Sequence, residues 1–128
     1  LLCEDNELNA EIAQLILQQW GIETTWVENG RKALDKLTQG PGRYDLVLMD
    51  KRMLVMDGLQ ATRAIRRHEA GTGHHIPIIA MTGDVDEASI QSCVDSGMDA
   101  HVGKPIDRDE LVRVLQRYCQ RQQREYNV

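Results

Sequence analysis

The sequence predicts an α/β fold, a parallel sheet wound by helices on both faces, and three observations predict it. Strand-like and helix-like segments alternate from end to end, the pattern of βαβ units. The run Leu46-Val47-Leu48-Met49 is continuously apolar rather than alternating, as in a strand buried on both faces. Several apolar runs also stop at a polar residue, on the side where open α/β sheets bind ligands. Leu1-Leu2-Cys3 runs into Glu4-Asp5, the central run ends at Asp50, Ile78-Ile79-Ala80-Met81 stops at Thr82, and Ala100-His101-Val102-Gly103 leads to Lys104-Pro105.

Taken in order, Leu1 to Cys3 reads as the first strand. The first helix follows, capped by Asn6 or Asn9, with Leu8, Ile12, Leu15, Ile16 and Trp20 on one face and Gly21 as its stop. Thr24 to Glu28 is a short, less apolar strand suited to an edge. A second helix spans Arg31 to Gln39 and closes at the breaker run Gly40-Pro41-Gly42. After the third strand and Asp50, a loop leads to Asp57-Gly58, read as a cap and a φ > 0 turn, and a helix from about Leu59 to Glu69. Gly71 to His75 is a surface turn in which His74 and His75 read as solvated. The fourth strand precedes a helix from Asp86 to Ser96, stopped by Gly97. Asp107 caps the last helix, whose Leu111, Val114, Leu115 and Tyr118 share a face. From about residue 120 the chain is polar, a frayed helix end or the start of a linker. The expectation is one domain over residues 1–128, with five strands and five helices.

Composition bounds the function. A chain of 128 residues holds a real core, and 41% hydrophobic with 27% charged residues is ordinary for a soluble domain. The net charge of −5 argues against nonspecific nucleic-acid binding by this domain. No apolar stretch approaches a membrane span, so no membrane contact is expected. The chain opens inside a strand without Met and reads as a piece of something longer. Cys3, Cys93 and Cys119 are odd in number and lack metal or CxxC spacing, which suits reduced structural thiols in the cytoplasm. Trp20 and Trp26 read as packing residues away from the site, and Met49, Met53, Met56 and Met81 as core.

Asp50 joins the Glu4-Asp5 pair only if the first and third strands are neighbours, which the flavodoxin-like order 2-1-3-4-5 provides. Three carboxylates there repel one another, and burial pushes at least one toward protonation. A hard cation such as Mg²⁺, held by one or two carboxylates and waters, relieves this, and Lys104 balances charge on the other side. A carboxylate nucleophile, a metal, an ammonium and a hydroxyl are the parts that phosphoryl transfer uses. The product is an acyl phosphate on Asp50.

The stretch Leu46 to Asp50 with Met53 and Met56-Asp57-Gly58 resembles the phosphoacceptor segment of response-regulator receiver domains. Ile76-Pro77-Ile78-Ile79-Ala80-Met81-Thr82, Gly97-Met98-Asp99-Ala100 and Lys104-Pro105-Ile106 resemble that family's fourth strand and closing segment. The resemblance covers essentially the whole chain. It implies that Asp50 is phosphorylated, that Asp5 binds Mg²⁺ directly and Glu4 through a water, and that the Arg52 backbone carbonyl completes the protein ligands. It makes Thr82 and Lys104 partners of the phosphoryl oxygens, lets the Gly83 N–H approach the same group, and gives Lys104-Pro105 a cis peptide. Thr82 and His101 become the switch pair, with His101 where the family has Tyr or Phe. Leu54 stands where the family has proline, and Lys51 and Arg52 add two cations beside Asp50. The implied partners are a histidine kinase or a histidine phosphotransfer domain, and a homodimer through the fourth helix, fifth strand and fifth helix. Wording such as Glu4-Asp5-Asn6 with Asn9 is similar to receivers of hybrid sensor histidine kinases.

Competing classes leave other marks. A haloacid dehalogenase-type phosphatase needs a second Asp two positions after the nucleophile, where Arg52 stands. A degenerate receiver loses an acid, the Thr or the Lys, and none is lost here. A stand-alone regulator remains an alternative to the hybrid kinase. No GxxxxGK[ST] or GxGxxG supports nucleotide binding.

Overall fold

The computed structural model describes residues 1–39, 44–51, 53, 56–83 and 86–126, with side chains through Tyr118. The elements alternate strictly: β1 (Leu2–Cys3), α1 (Glu7–Gln19), β2 (Trp26–Val27), α2 (Gly30–Gln39), β3 (Val47–Asp50), α3 (Gly58–Glu69), β4 (Ile78–Thr82), α4 (Glu87–Ser96), β5 (Ala100–Gly103) and α5 (Arg108–Tyr126). The five strands form one parallel sheet in the order 2-1-3-4-5, as the sequence predicts. The expected breaker Gly40-Pro41-Gly42 and Leu54 lie outside the described residues. Among the described residues no helix is long and apolar enough to cross a membrane.

The central strands β1, β3 and β4 are buried on both faces, so successive residues feed two cores. Cys3, Val47, Met49, Ile78 and Ala80 pack with Ala33, Ala61, Ile65 and Cys93, toward α2, α3 and α4. Leu2, Leu48, Ile79, Met81 and Val102 pack with Ala10, Ala13, Leu17, Leu111 and Leu115, toward α1 and α5. This alternation is the two-residue period of a strand.

Helix α1 departs from the expected face. Of Leu8, Ile12, Leu15, Ile16 and Trp20, only Ile16 is buried, whereas Leu8 is 64% and Leu15 61% exposed. The sheet is met by Ala10, Ala13, Ile16 and Leu17. Small residues let the helix axis approach the sheet, so alanine occupies the contact and the larger side chains are left outside. The Asn6 side chain caps α1 by accepting from Asn9 N, and Trp20 is its C-cap. β2 is shorter than its sequence suggests, because Asn29 turns the chain into α2 and caps it, accepting from Lys32 N at 2.9 Å. α5 continues as helix through the polar tail to Tyr126.

At the N-terminal end of the sheet one guanidinium joins three elements. Arg66, on α3, donates to Gly97 O, Ile76 O, Glu69 Oε1 and Asp99 Oδ2 at 2.6–2.9 Å. Asp99 also accepts from Ile78 N, and its Oδ1 lies 2.7 Å from His75 Nε2, so His75 is paired rather than merely solvated. Gly97 closes α4 at φ 109°, a conformation suited to glycine, and a Cβ there would lie 2.8 Å from Arg66 Cγ.

The reversed face of α1 separates two leucines two residues apart. Leu17→Ala should cost about 2–5 kcal/mol of stability, as for a buried leucine. Leu15→Ala should stay within about 0.5 kcal/mol of wild type. Denaturant unfolding checks both, and equal losses would restore the face expected from the sequence.

Candidate functional site

Strand register assembles the site. Leu2 pairs with Leu48 and Cys3 with Met49, so one step further Glu4 stands level with Asp50. Asp50 pairs with Met81, which puts Thr82 just beyond it on β4, and Thr82 pairs with Gly103. Lys104 N donates to Thr82 O at 2.9 Å and so begins where the β4–β5 ladder ends. The Lys104-Pro105 peptide is cis, as the resemblance implies.

The C-terminal edge of the sheet thus holds a cleft of about 330 Å³ lined by Glu4, Asp5, Asn6, Asn9, Asp50, Lys51, Thr82, Gly83 and Lys104. Larger hollows of about 410 and 480 Å³ open at the opposite edge, around Pro77 and Thr24, with no acid cluster among the described residues. The chemistry belongs to the smaller cleft. Loop packing there is tight: a Cβ on Gly58 would lie 2.2 Å from Asp50 O. That close approach, not a positive φ, requires the glycine. Asp57 is the N-cap of α3, in a capping box with Gln60.

Oxygens of Glu4, Asp5 and Asp50 all lie within 4.8 Å of one another. Glu4 is fully buried, Asp50 is 3% exposed, and Asp5 is open to solvent. The Lys104 ammonium sits between the buried pair, 2.9 Å from Asp50 Oδ1 and 3.0 Å from Glu4 Oε2. Its hydrogen bond to Glu4 goes to Oε1 at 3.4 Å, and Oε1 also accepts from Asn6 N. Both Glu4 oxygens thus lie within reach of the ammonium, and as carboxylate oxygens each keeps lone-pair capacity for a second partner. Three carboxylates clustered this closely, two of them buried and one open to solvent, fit a hard divalent cation with a water shell.

Burial pushes the Asp50 carboxyl up to about 7, with the Glu4 charge adding to the effect, although Lys104 pulls the other way. Burial opposes the Lys104 ammonium, yet its pairing with Asp50 and Glu4 outweighs that and raises it. Burial, followed by the Asp50 charge, pushes the Cys3 thiol up to about 12, and Cys3 Sγ donates to Met53 Sδ at 3.3 Å. That thiol is inert.

The remaining expected residues divide. Thr82 is buried at the end of β4, and Gly83 lines the cleft where a Cβ would meet nothing within 4 Å. Lys51 lines the cleft too, and its charge helps hold Asp86 below the usual carboxylate range, after that group's hydrogen bonds to Ser89. His101 is exposed on β5, and Arg52 lies outside the described residues. Sequence reading missed Trp26, whose indole N–H donates to Glu4 O at 2.8 Å. No periodicity carries that signal, because β2 and the acid turn are 22 residues apart.

The raised Asp50 carboxyl has a signed consequence for stability. Its folded value lies above the ordinary carboxylate range, so the folded state binds this proton more tightly. The contribution is full below about pH 4 and lost as the pH rises to about 7. Without divalent cations, Asp50→Asn should therefore gain on wild type across that window, with a slope of at most about 1.4 kcal/mol per pH unit. Denaturant midpoints of both proteins from pH 4 to 8 measure this, and a constant difference would return Asp50 to the ordinary carboxylate range.

The response regulator receiver domain model matches residues 1–116. The osmosensing histidine protein kinase SLN1 of Saccharomyces cerevisiae is 37% identical over 93% of this chain and 10% of its own length. Probable histidine kinase 6 of Oryza sativa is 35% identical over 91% of this chain and 14% of its own. The chain thus spans a small part of these relatives. Among solved structures, the receiver domain of the Pseudomonas aeruginosa sensor histidine kinase PA1611, with magnesium in its active-site cleft, is 38% identical, with a TM-score of 0.81 over 91% of this chain and 93% of that one. The Mg²⁺-complexed receiver domain of histidine kinase CKI1 from Arabidopsis thaliana is 29% identical, with a TM-score of 0.82 over 91% and 88%. With its sheet order, acid cluster and cis Lys104-Pro105 bond, the chain belongs to the response regulator receiver domain family.

Proposed function

We propose that this domain accepts a phosphoryl group from a phosphohistidine donor onto Asp50, with Mg²⁺ as cofactor. The observation that carries the reading is Asp50 itself, buried at the end of β3, 2.9 Å from an ammonium and clustered with two further acids. Asp5 and Asp50 would hold the cation directly and Glu4 through a water, with the Arg52 carbonyl, outside the described residues, as the remaining protein ligand. The bound cation neutralises the acids and the phosphoryl oxygens they would otherwise repel.

An Asp50 oxygen attacks phosphorus as the P–N bond to the donor imidazole breaks, and that imidazole leaves with the bonding pair. Lys104, already within reach of Asp50, exchanges a carboxylate contact for a phosphoryl oxygen. Thr82 and the Gly83 N–H take the others. Thr82 and His101 form the pair through which the change is read out.

The donor is a histidine phosphotransfer domain or histidine kinase, and the parent chain a hybrid kinase of a cytoplasmic phosphorelay. Helix α1 supports a protein donor. Its Leu8, Ile12 and Leu15 form an exposed apolar stripe that begins next to Asn6 and Asn9 at the rim of the cleft. Such a stripe suits the apolar face of a partner helix.

Acetyl phosphate with Mg²⁺ should add one phosphate by intact mass to wild type and none to Asp50→Asn. Asp5→Ala should need at least about tenfold more Mg²⁺ for half-maximal phosphorylation. Labelling of Asp50→Asn to the wild-type extent would move the acceptor elsewhere.

Ile12→Asp and Leu15→Asp should slow transfer from a phosphorylated histidine phosphotransfer protein at least about tenfold, the effect of about 1.4 kcal/mol, while leaving acetyl phosphate labelling unchanged. Equal losses with both donors would locate the defect in the site and not in docking.

A further inference from the structure

We propose that Trp26 is a positioning residue for the divalent-cation site, holding through its indole N–H the peptide that joins the two acids Glu4 and Asp5. The inference rests on the assignment of those acids to the cation and adds a residue that touches neither the metal nor the phosphoryl group.

The geometry of the β1–β2 ladder carries it. Leu2 N donates to Thr25 O at 2.8 Å and Glu4 N to Val27 O at 3.1 Å, with Leu2 opposite Trp26 and Cys3 opposite Val27. In a parallel pair with this phase, the next rung would run from Asn29 N to Glu4 O. Asn29 has left the ladder by then. Its side chain accepts from Lys32 N and its carbonyl from Ala33 N, both to start α2. The vacated rung is filled from the side. Trp26 Nε1 reaches Glu4 O at 2.8 Å and, among the described residues, is the one donor to that carbonyl.

The position of this bond matters because Glu4 O belongs to the Glu4-Asp5 peptide. Fixing the carbonyl fixes the plane of that peptide, and with it the start of both acid side chains. Glu4 has further restraints at its carboxylate, from Asn6 N and Lys104. Asp5 is exposed, and among the described residues its carboxylate makes no hydrogen bond. Its aim is set by backbone alone, restrained on one side by the indole at Glu4 O and on the other by Asn6 N, which donates to Glu4 Oε1. The ring is anchored in turn, packed against the core beneath α1 and α5. Without the N–H, a buried carbonyl loses its partner and the peptide is free to rotate toward another.

Removing such an outer partner typically weakens metal affinity 10–100-fold. Trp26→Phe, which keeps the ring packing and deletes the N–H, should raise the Mg²⁺ dissociation constant about tenfold. The readout is ¹H–¹⁵N NMR of the domain titrated with MgCl₂ alone, at a temperature where every variant is folded. Val27→Ala is the control, since it weakens β2 packing but leaves the indole bond, and it should bind Mg²⁺ as wild type does. Asp5→Ala should lose most affinity. In wild type the Trp26 indole resonance should shift as Mg²⁺ saturates, a measurement that needs no variant to fold.

Wild-type affinity in Trp26→Phe beside a weakened Asp5→Ala would overturn the role of Trp26 and leave the acid site standing. Wild-type affinity in Asp5→Ala would overturn the acid site itself. Losses in Val27→Ala as large as in Trp26→Phe would reduce the effect to the stability of β2. An indole resonance that does not move on saturation would also overturn the proposal.

Discussion

The ammonium of Lys104, set between two buried carboxylates, is the interaction on which the remainder of this structure depends. Glu4 and Asp50 are each removed from water, and together they would carry two uncompensated charges into a low-dielectric site. The compensating cation arrives from the far end of the chain, 100 residues from Glu4. For it to arrive at all, β1 and β3 must be adjacent, β4 must lie beside β3, and β5 must end level with Thr82. The strand order is therefore the topology and also the means of neutralising the site.

That neutralisation is incomplete, and the residue carries function. One lysine faces two buried acids, with Asp5 nearby, so the metal-free cluster retains excess negative charge. Burial first, and the Glu4 charge after it, leave a carboxyl at Asp50 that gives up its proton only near neutrality. Burial, reinforced by the acid charges, likewise suppresses the neighbouring thiol, so Cys3, directly beneath the acids on β1, packs against Met53 rather than reacting. The same field that favours a dication disfavours a thiolate. Both properties follow from burying the site, with the acid charges adding to the effect.

Much of this was legible in the sequence, and the reason is local. Each strand is a bounded apolar run, and Glu4, Asp50, Thr82 and Lys104 each directly follow or end one, so spacing along the chain reported position on the sheet edge. Helix α1 was misread because large apolar side chains were equated with burial. Ala10 and Ala13 take the sheet contact, and a periodicity weighted by side-chain size cannot see that alanine is wanted for its smallness. Gly58 was assigned a turn conformation when it serves close packing on the Asp50 carbonyl. Trp26 and Arg66 were missed for another reason. Trp26 makes one hydrogen bond to distant backbone and Arg66 joins Ile76, Gly97 and Asp99 on other elements, and such contacts leave no pattern in one sequence.

Arg66 has a mechanical meaning beyond its bonds. It ties the end of α3 to the entrance of β4 and to the Gly97–Asp99 corner, where α4 turns into β5. α4 is thus clamped at one end, remote from the phosphoryl cleft, while its other end begins at Asp86 close to Lys51. The clamp holds α4 to α3, β4 and β5 at its Gly97 end, and Cys93 seats its middle in the core, so its Asp86 end, the one that faces Lys51 and the cleft, carries the fewest of these restraints.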